Sequence, residues 1–301
     1  MRIYRGIQLL SSQPRRLVIG NLDGVHRGHQ ALLQTARAIQ PPGLVTVLTF
    51  EPHPKDFFNP GGSTRLMRLN EKLRALALLQ VDEVVVVGFN ERFAAQSGEQ
   101  FAQVLKDTLR ADTIVVGEGF RFGHRQSGDI KTLQAAGLRV ECVATYEHAA
   151  GRVSSTRVRA AMMAGQWALA RALLGHPLWL RGRVFKGQQL GWQLGFPTAN
   201  LHWFTHRLPL SGIFAVRVRV EPVSAIFTGV ASLGARPTVN GSGIWLEVHL
   251  FDYSGDLYGR TLSVELVTKL REELKFDSLE QLTEQMQVDA AQARAALEQK
   301  L

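Results

Sequence analysis

The chain has 301 residues, of which 45% are hydrophobic and 20% charged, so its composition excludes an extensively disordered protein and leaves room for two domains. No apolar run approaches the roughly 18 residues of a membrane span. The start lacks the apolar core of a secretory signal, and Cys142 is the only cysteine, so we expect a cytoplasmic protein with no membrane partner. The net charge of +9 favours polyanions without choosing between phosphorylated substrates and nucleic acid.

The first half of the chain alternates Val- and Ile-rich runs with helical patterns. The runs barely alternate with polar residues, which is typical of strands buried on both faces of a parallel sheet. This order predicts a doubly wound α/β domain. The predicted strands are Leu17–Gly20, Leu44–Phe50, Val84–Gly88, Thr113–Gly117 and Val140–Tyr146, and the predicted helices cover 29–39, 70–80, 94–110, 130–137 and 152–174.

The pattern changes at Gly175-His176-Pro177, which we expect to end a helix. From Leu180 onward the strands alternate with period two, most clearly over Phe214–Val220 and Trp245–Phe251. This second half is predicted to be a small antiparallel β-barrel.

The chain is predicted to end in a helix that begins at Ser278, where Gln281 would complete a capping box. We expect the apolar stripe of this helix to pack across the barrel. The stripe consists of Leu279, Leu282, Met286 and Ala290.

The segment that follows the first predicted strand carries two histidines, His26 and His29, before a helical pattern. Ligands of open α/β sheets bind beyond the carboxyl ends of the strands, and a helix N-terminus there suits a phosphate. The two imidazoles are three residues apart and face the same way, and Gly28 leaves room for a nucleotide. Phosphate binding is one interpretation; a structural histidine pair and a metal site are the others.

A second segment, Arg152–Arg159, places hydroxyl and guanidinium groups just before a helical pattern. Such groups form an anion cradle, although an ordinary helix cap with solvated arginines gives the same pattern.

In the second half, Thr198 and Asn200 follow a glycine-rich run and would share one face of an extended segment. A hydroxyl and an amide oxygen suit Mg²⁺ held jointly with ATP phosphates; a turn with a structural Asn is the alternative. Glu247 lies in an alternating strand, where it is either a general base or an outward-facing residue.

Eight segments, in this order, resemble the bacterial bifunctional riboflavin kinase/FAD synthetase family over residues 3–300. They are GNLDGVHRGHQALL, FEPHP, FRFG, RVSSTRVR, GFPTAN, LEVHLFD, LYGR and LREELKFDSLEQL. The resemblance implies a nucleotidyltransferase-like FMN adenylyltransferase domain over 1–176, which transfers AMP from ATP to FMN and yields FAD and pyrophosphate. It implies a riboflavin kinase domain over 177–301, which makes FMN with ATP and Mg²⁺.

The resemblance also implies roles for individual residues. In the first half, His26 and His29 match the catalytic histidines that grip ATP phosphates. The whole ATP site expected there comprises Gly20, Asp23, His26, Gly28, His29, Arg152, Ser155, Thr156 and Arg159. In the barrel, Glu247 matches the catalytic base, and Thr198 and Asn200 match the Mg²⁺–ATP ligands. Gly182, Gly187 and Gly191 are expected beside the kinase ATP, and Phe120 and Arg271 beside the flavin.

Three positions depart from the family pattern. Gly119 replaces an Asp or Asn, which is expected to weaken adenylyl transfer; Trp192 replaces an Arg, although its ring offers a stacking face; Leu22 replaces a Phe with little effect. A kinase with an impaired adenylyltransferase half is therefore one alternative. A basic nucleic-acid-binding protein on an inactive scaffold is the other, and the lack of a basic tract argues against it. A homo-oligomer is left open.

Overall fold

The computed structural model describes residues 1–60, 64–187, 190–203, 208, 210–223, 225–238 and 241–298. The chain forms two compact units, one of Met1–Ser63 with Met67–Arg157 and one of Thr64–Leu66 with Val158–Leu301. The predicted boundary between the two activities lies after residue 176. The division into compact units does not test it, so it stays a prediction.

A parallel six-stranded sheet forms the centre of the first unit, as predicted, with the strand order β1-β4-β3-β2-β5-β6 in the described residues. The interior strands are buried because their Val, Leu and Ile side chains face helices or loops on both sides. The strands are β1 (Arg2–Arg5), β2 (Arg15–Ile19), β3 (Leu44–Glu51), β4 (Glu83–Gly88), β5 (Thr113–Gly117) and β6 (Arg139–Val143).

The edge strand β1 was not predicted, since its sequence RIYR is short and mostly polar; its partner is β4. The helices of this part are α1 (Arg27–Ala38), α2 (Pro54–Phe58), α3 (Leu69–Leu78), α4 (Glu91–Ala94), α5 (Gly98–Gln103) and α6 (Ile130–Ala135).

Two predicted helices differ from the structure in extent or continuity. The helix predicted over 94–110 begins at Gly98, because Ser97 caps it, and α5 then continues directly into a π-helix, Val104–Thr108. The pattern over 152–174 begins in a hairpin, β7 (Glu147–His148) and β8 (Gly151–Arg152), and then forms α7 (Ser155–Met163) and α8 (Trp167–Leu174). Helix α8 ends at Gly175, whose φ of 75° is left-handed, so the predicted break is confirmed.

A closed six-stranded barrel forms the second unit, in the order β10-β13-β12-β11-β14-β9, and neighbouring strands are antiparallel. The predicted alternation is confirmed in β11, where Phe214, Val216, Val218 and Val220 are buried while Arg219 is exposed. The strands are β9 (Trp179–Phe185), β10 (Ala199–Trp203), β11 (Gly212–Glu221), β12 (Ile226–Thr238), β13 (Gly241–Leu250) and β14 (Thr261–Arg271), with a short helix α9 (Leu190–Gln193).

The C-terminal helix α10 (Leu279–Glu298) lies on the barrel, as predicted, but with a different buried stripe. Its buried residues are Asp289, Ala293 and Leu297, whereas Leu279 is 51% exposed. Leu282 and Met286 line a cavity on the barrel instead of the core, whereas Ala290 of the predicted stripe packs against the core cluster. Ser278 accepts from the Gln281 N–H (3.2 Å), but the Gln281 side chain accepts from Asp277 N–H instead of completing the predicted box.

Among the described residues, no helix combines the length and apolar character that crossing a membrane requires.

Candidate active sites

The strand order of the parallel sheet reverses between β2 and β5, since β3 and β4 lie on one side of β2 and β5 and β6 on the other. A reversal of this kind opens a crevice at the carboxyl ends of the strands, where open α/β sheets bind ligands. The loop after β2 carries His26, and the loop after β5 carries Phe120. Two of the segments expected to bind ligand therefore follow the two strands at the reversal.

The two histidines form a stacked pair at the start of α1. The ring centroids of His26 and His29 are 3.6 Å apart and the rings are inclined by 15°. His26 is the N-cap residue, and its Nδ1 accepts from the His29 N–H at 3.4 Å. A Cβ on Gly28 would lie 3.2 Å from the His26 ring and 3.4 Å from the Val153 carbonyl oxygen, so a larger residue would push on both. Gly28 thus lets the pair approach the segment before α7.

The electrostatics of this pair favour a neutral His29. Burial lowers the pKa of His29 well below its usual value, and the nearby His26 and Lys72 lower that pKa further. Its Nδ1 is buried without a hydrogen-bond partner in the described part of the chain. A neutral imidazole with one uncommitted nitrogen is suited to meeting an anionic ligand.

Lys72 is a residue of this site that sequence reasoning missed. It is only 4% exposed, and its Nζ donates to Thr49 Oγ1 at 3.1 Å, at the carboxyl end of β3. The signal was its spacing, because Lys72 is four residues before the buried Leu76 and so shares its helix face. A buried lysine next to two histidines adds positive charge where phosphates were expected.

The predicted residues Asp23 and Ser155 connect the two phosphate segments. Ser155 Oγ donates to the Asp23 carbonyl oxygen at 2.8 Å, and the Asp23 carboxylate accepts from the Met67 N–H at 3.1 Å. Asp23 is buried, so in this arrangement it braces the loop. Gly20 donates from its N–H to the Leu48 carbonyl oxygen at the end of β2.

The remaining residues of the second segment, Arg152–Arg159, differ in exposure and in the unit to which they belong. Arg152 and Thr156 are exposed, and Arg159 lies on α7 beyond the division between the units. Arg157, to which we assigned no role, donates to the carbonyl oxygens of His148 (2.7 Å) and Gly151 (2.6 Å) and so holds the β7–β8 hairpin.

A chain of phenylalanine rings extends from the loop after β5 across the ends of neighbouring strands. Phe120 stacks on Phe122 at 5.4 Å, Phe122 makes a tilted contact with Phe101, and edge contacts continue through Phe93 to Phe89. Only Phe120 was predicted in this site; apart from Phe122, the other rings come from segments too far from it in sequence for a local pattern to group them with it. We call this set the phenylalanine cluster; it contains Phe50, Phe57, Phe58, Phe89, Phe93, Phe101, Phe120 and Phe122.

Gly119, the departure next to Phe120, has a φ of +72°, and a Cβ built on it would meet nothing within 4 Å. Asn and Asp are the side chains that best tolerate this conformation. The backbone here therefore retains the form that an Asp or Asn would occupy.

In the barrel, Glu247 lines a cavity of about 310 Å³, together with Thr198, Asn200 and Arg271. Glu247 is the cross-strand neighbour of Asn200 on β10 and of Ser232 on β12. Directly opposed residues have Cβ atoms about 5 Å apart, so the three polar side chains form one group on the cavity wall. Glu247 lies on the face of β13 opposite the buried Leu246 and Val248, so it faces away from the barrel interior but borders this cavity.

The three predicted glycines have different surroundings. A Cβ on Gly187 would lie 2.5 Å from Asn200 Nδ2, and a Cβ on Gly191 would collide with the Phe196 carbonyl oxygen. A Cβ on Gly182 would lie 2.9 Å from the Leu201 side chain, so that position serves packing between strands. Gly187 and Gly191 are thus the ones that border the Thr198–Asn200 segment, while residues 188–189 of this run lie outside the described residues.

A second cavity of about 580 Å³ lies in the same unit, and Thr198 lines both cavities. Its wall is largely apolar and aromatic. The lining includes Trp192, Leu250, Tyr253, Leu257 and Tyr258.

Arg271 lines the first cavity, and each nitrogen of its guanidinium donates a hydrogen bond. Nε and Nη2 donate to the two carboxylate oxygens of Asp289 on α10 at 2.8 and 2.6 Å, and Nη1 donates to the Glu272 carbonyl oxygen at 2.8 Å. Asp289 is 3% exposed and also accepts from Gln285. The Arg271–Asp289 pair joins the end of β14 to α10. Phe276, in the segment between them, lines the same cavity. Sequence reasoning missed Asp289, because a carboxylate on a helix is ordinarily solvated.

The described residues contain no group of three or more His, Cys, Asp or Glu side chains arranged to hold a metal. The oxygens of Thr198 and Asn200 remain the candidates, with Asn200 Nδ2 donating to the Thr198 carbonyl oxygen at 3.3 Å.

Comparisons with known proteins divide the chain in the same two parts. Residues 10–157 match the FAD synthetase family, and residues 174–297 match the riboflavin kinase family. A bifunctional riboflavin kinase/FMN adenylyltransferase from Pseudomonas fluorescens is 42% identical, and one from Escherichia coli (strain K12) is 43% identical. Each comparison covers 98% of this chain and 97% of the relative.

A crystal structure of a protein described as a macrolide-efflux protein, from Streptococcus pneumoniae, is similar with a TM-score of 0.82 and 29% identity over 96% of this chain and 97% of that one. These comparisons do not support the nucleic-acid-binding alternative. Since the curated relatives match at 42% and 43% identity over nearly the whole length, the chain belongs to the bifunctional riboflavin kinase/FMN adenylyltransferase family, whose members produce FMN and FAD.

Proposed function

We propose that the barrel unit phosphorylates riboflavin to FMN and that the parallel-sheet unit transfers AMP from ATP to FMN. The observation that carries the first assignment is the placement of Thr198, Asn200 and Glu247 on the wall of the first cavity, with Thr198 also lining the second. A phosphoryl transfer needs positioning, charge neutralisation and a base for the attacking hydroxyl, and little covalent chemistry.

In the kinase reaction, the Glu247 carboxylate takes the proton of the ribityl 5′-hydroxyl. The hydroxyl oxygen forms a bond to the γ-phosphorus of ATP, the bond to the bridging oxygen breaks, and ADP leaves. Asn200 lies opposite Glu247 across the strand pair, which holds the nucleotide's phosphates next to the base. Riboflavin occupies the first cavity, whose wall includes Phe276 and Met286.

The donor atoms suit Mg²⁺. Thr198 supplies a hydroxyl oxygen and Asn200 an amide oxygen, both hard neutral ligands, and Mg²⁺ usually takes few protein ligands together with substrate phosphates. When bound, the ion neutralises charge on the phosphate oxygens. Gly187 packs against the Asn200 amide and keeps that ligand in place.

In the adenylyltransferase reaction, an FMN phosphate oxygen attacks the α-phosphorus of ATP and pyrophosphate leaves. Charge develops on the leaving group, and the N-terminus of α1, His26, His29 and Lys72 surround the place where it would accumulate. A neutral His29 donates a hydrogen bond without requiring a proton to be taken up first. Ser155 and Arg152 of the second segment complete the anion cradle.

The phenylalanine cluster provides the seat for the flavin ring of FMN. It borders the crevice at the strand reversal and includes Phe120 on the loop after β5. Stacked or edge-on contacts between aromatic rings contribute about 0.5–1.5 kcal/mol per pair in addition to the stabilisation from burying their surface.

The test is to incubate the purified chain with riboflavin, ATP and Mg²⁺ and to separate the flavins by chromatography. FMN followed by FAD supports the proposal. Formation of FMN alone would mean that the Gly119 replacement has abolished the activity of the adenylyltransferase unit. If neither FMN nor FAD forms, the proposal is overturned. Omitting Mg²⁺ in the presence of a chelator should abolish FMN formation.

A further inference from the structure

The second cavity of the barrel has an unusual wall residue. Trp192 is 75% exposed although it lines the cavity. Within the described residues its indole ring makes no ring contact and no hydrogen bond. An apolar aromatic face that is open beside a cavity is available to a ligand.

The position of Thr198 decides which part of a nucleotide enters this cavity. Thr198 lines both cavities, and Glu247 lines only the first. The γ-phosphoryl group must lie next to the hydroxyl that Glu247 deprotonates, so the nucleotide extends from there past Thr198. Its ribose and base then occupy the second cavity.

The chemistry of that cavity fits a base better than it fits phosphates. Tyr253, Tyr258 and Leu257 lie on its wall together with Trp192, and Asp256 is its carboxylate. Anionic phosphates would meet no arginine or lysine there among the described lining residues. A planar base, in contrast, gains from covering an exposed indole.

Resting on the kinase function proposed above, we infer that Trp192 stacks on the base of the nucleoside triphosphate in the riboflavin kinase reaction. The strength of stacking depends on the area of the ring face and not on the hydrogen-bonding groups at the ring's edge. Trp192 therefore selects purine over pyrimidine donors and discriminates little between adenine and guanine.

The first test measures FMN formation from riboflavin while ATP is varied. Trp192→Ala is expected to raise the KM for ATP about tenfold or more, with a much smaller effect on kcat, and Trp192→Phe is expected to recover most of the loss. Ile226→Ala, which removes another exposed apolar side chain of the barrel outside both cavities, serves as the matched control. Trp192→Ala should also reduce the ratio of kcat/KM for GTP over that for UTP.

The second test is independent of turnover. ATP should quench tryptophan fluorescence in the wild type more than in Trp192→Phe, and the difference between them reports on Trp192. Inorganic tripolyphosphate, which has the phosphates without the base, should produce no such difference.

A Trp192→Ala enzyme that makes FMN with a KM for ATP within twofold of the wild type would overturn the inference. The same holds for ATP quenching that is identical in the wild type and in Trp192→Phe. These results would leave the kinase assignment intact, whereas a wild type that makes no FMN would overturn the assignment itself.

Discussion

Replacing Gly187 by alanine should impair the kinase reaction through a single atom. The new Cβ would lie 2.5 Å from Asn200 Nδ2 and 2.7 Å from its Cγ. Non-bonded heavy atoms are comfortable at about 3.5 Å, so the Asn200 amide must retreat by about 1 Å. Gly187 does not have a positive φ, so alanine adds no backbone strain there and the barrel should remain folded.

The expected size of the effect follows from that displacement. A misplacement of about 1 Å in a group that positions a reacting phosphate costs on the order of 100-fold in rate. We therefore expect kcat/KM for ATP in FMN formation to fall about 100-fold. FAD formation from supplied FMN should be unchanged, because it takes place on the other unit.

The assay measures FMN from riboflavin and FAD from FMN in separate reactions of the full chain. Gly88→Ala is the matched control, since a Cβ there would meet nothing within 4 Å and the residue has no positive φ. In an Asn200→Ala background, Gly187→Ala should cost little more, because both changes act through one amide. Near-normal FMN formation by Gly187→Ala, or full additivity with Asn200→Ala, would refute this reasoning.

Three further predictions concern single side chains. Glu247→Gln should lower FMN formation about 100-fold or more, the scale of a lost general base, and spare FAD formation from supplied FMN; normal FMN synthesis would show that this carboxylate is not the base. His29→Ala should do the reverse in the same two assays, and equal loss of both activities would point to misfolding. Glu83→Gln should destabilise the chain by about 3–5 kcal/mol, because Arg15 Nε, fully buried, donates to Glu83 at 2.8 Å and would lose its counter-ion. Burial raises the pKa of Glu83, but the hydrogen bonds and charge of Arg15 outweigh it and hold that pKa below its usual value. This stabilisation is therefore complete above about pH 4.3 and is lost as the pH falls through the lowered pKa. In urea unfolding, the difference in the free energy of unfolding between the wild type and Glu83→Gln should decrease as the pH falls. An increase would contradict a lowered pKa for Glu83.

Local sequence determined most of the elements and the grouping of residues that are close along the chain. His26, Gly28 and His29 fall within one turn, so their grouping at the start of α1 follows from helical geometry alone. Thr198 and Asn200 line one cavity because alternate residues of an extended segment share a face. The change from buried runs to period-two alternation likewise separated the parallel sheet from the barrel.

The tertiary structure decided which of these faces and charges meet. Alternation shows that a strand has two faces but not which one borders a cavity, so only the packing of α10 and the segment before it against the barrel placed Glu247 on a cavity wall. Lys72 and Asp289 are charged residues on helices, and although spacing places Lys72 on a buried face, local sequence does not indicate their partners, Thr49 and Arg271. Pairings of this kind carry no local signal, because they arise only when distant segments pack and the cost of burying a charge is offset by its partner.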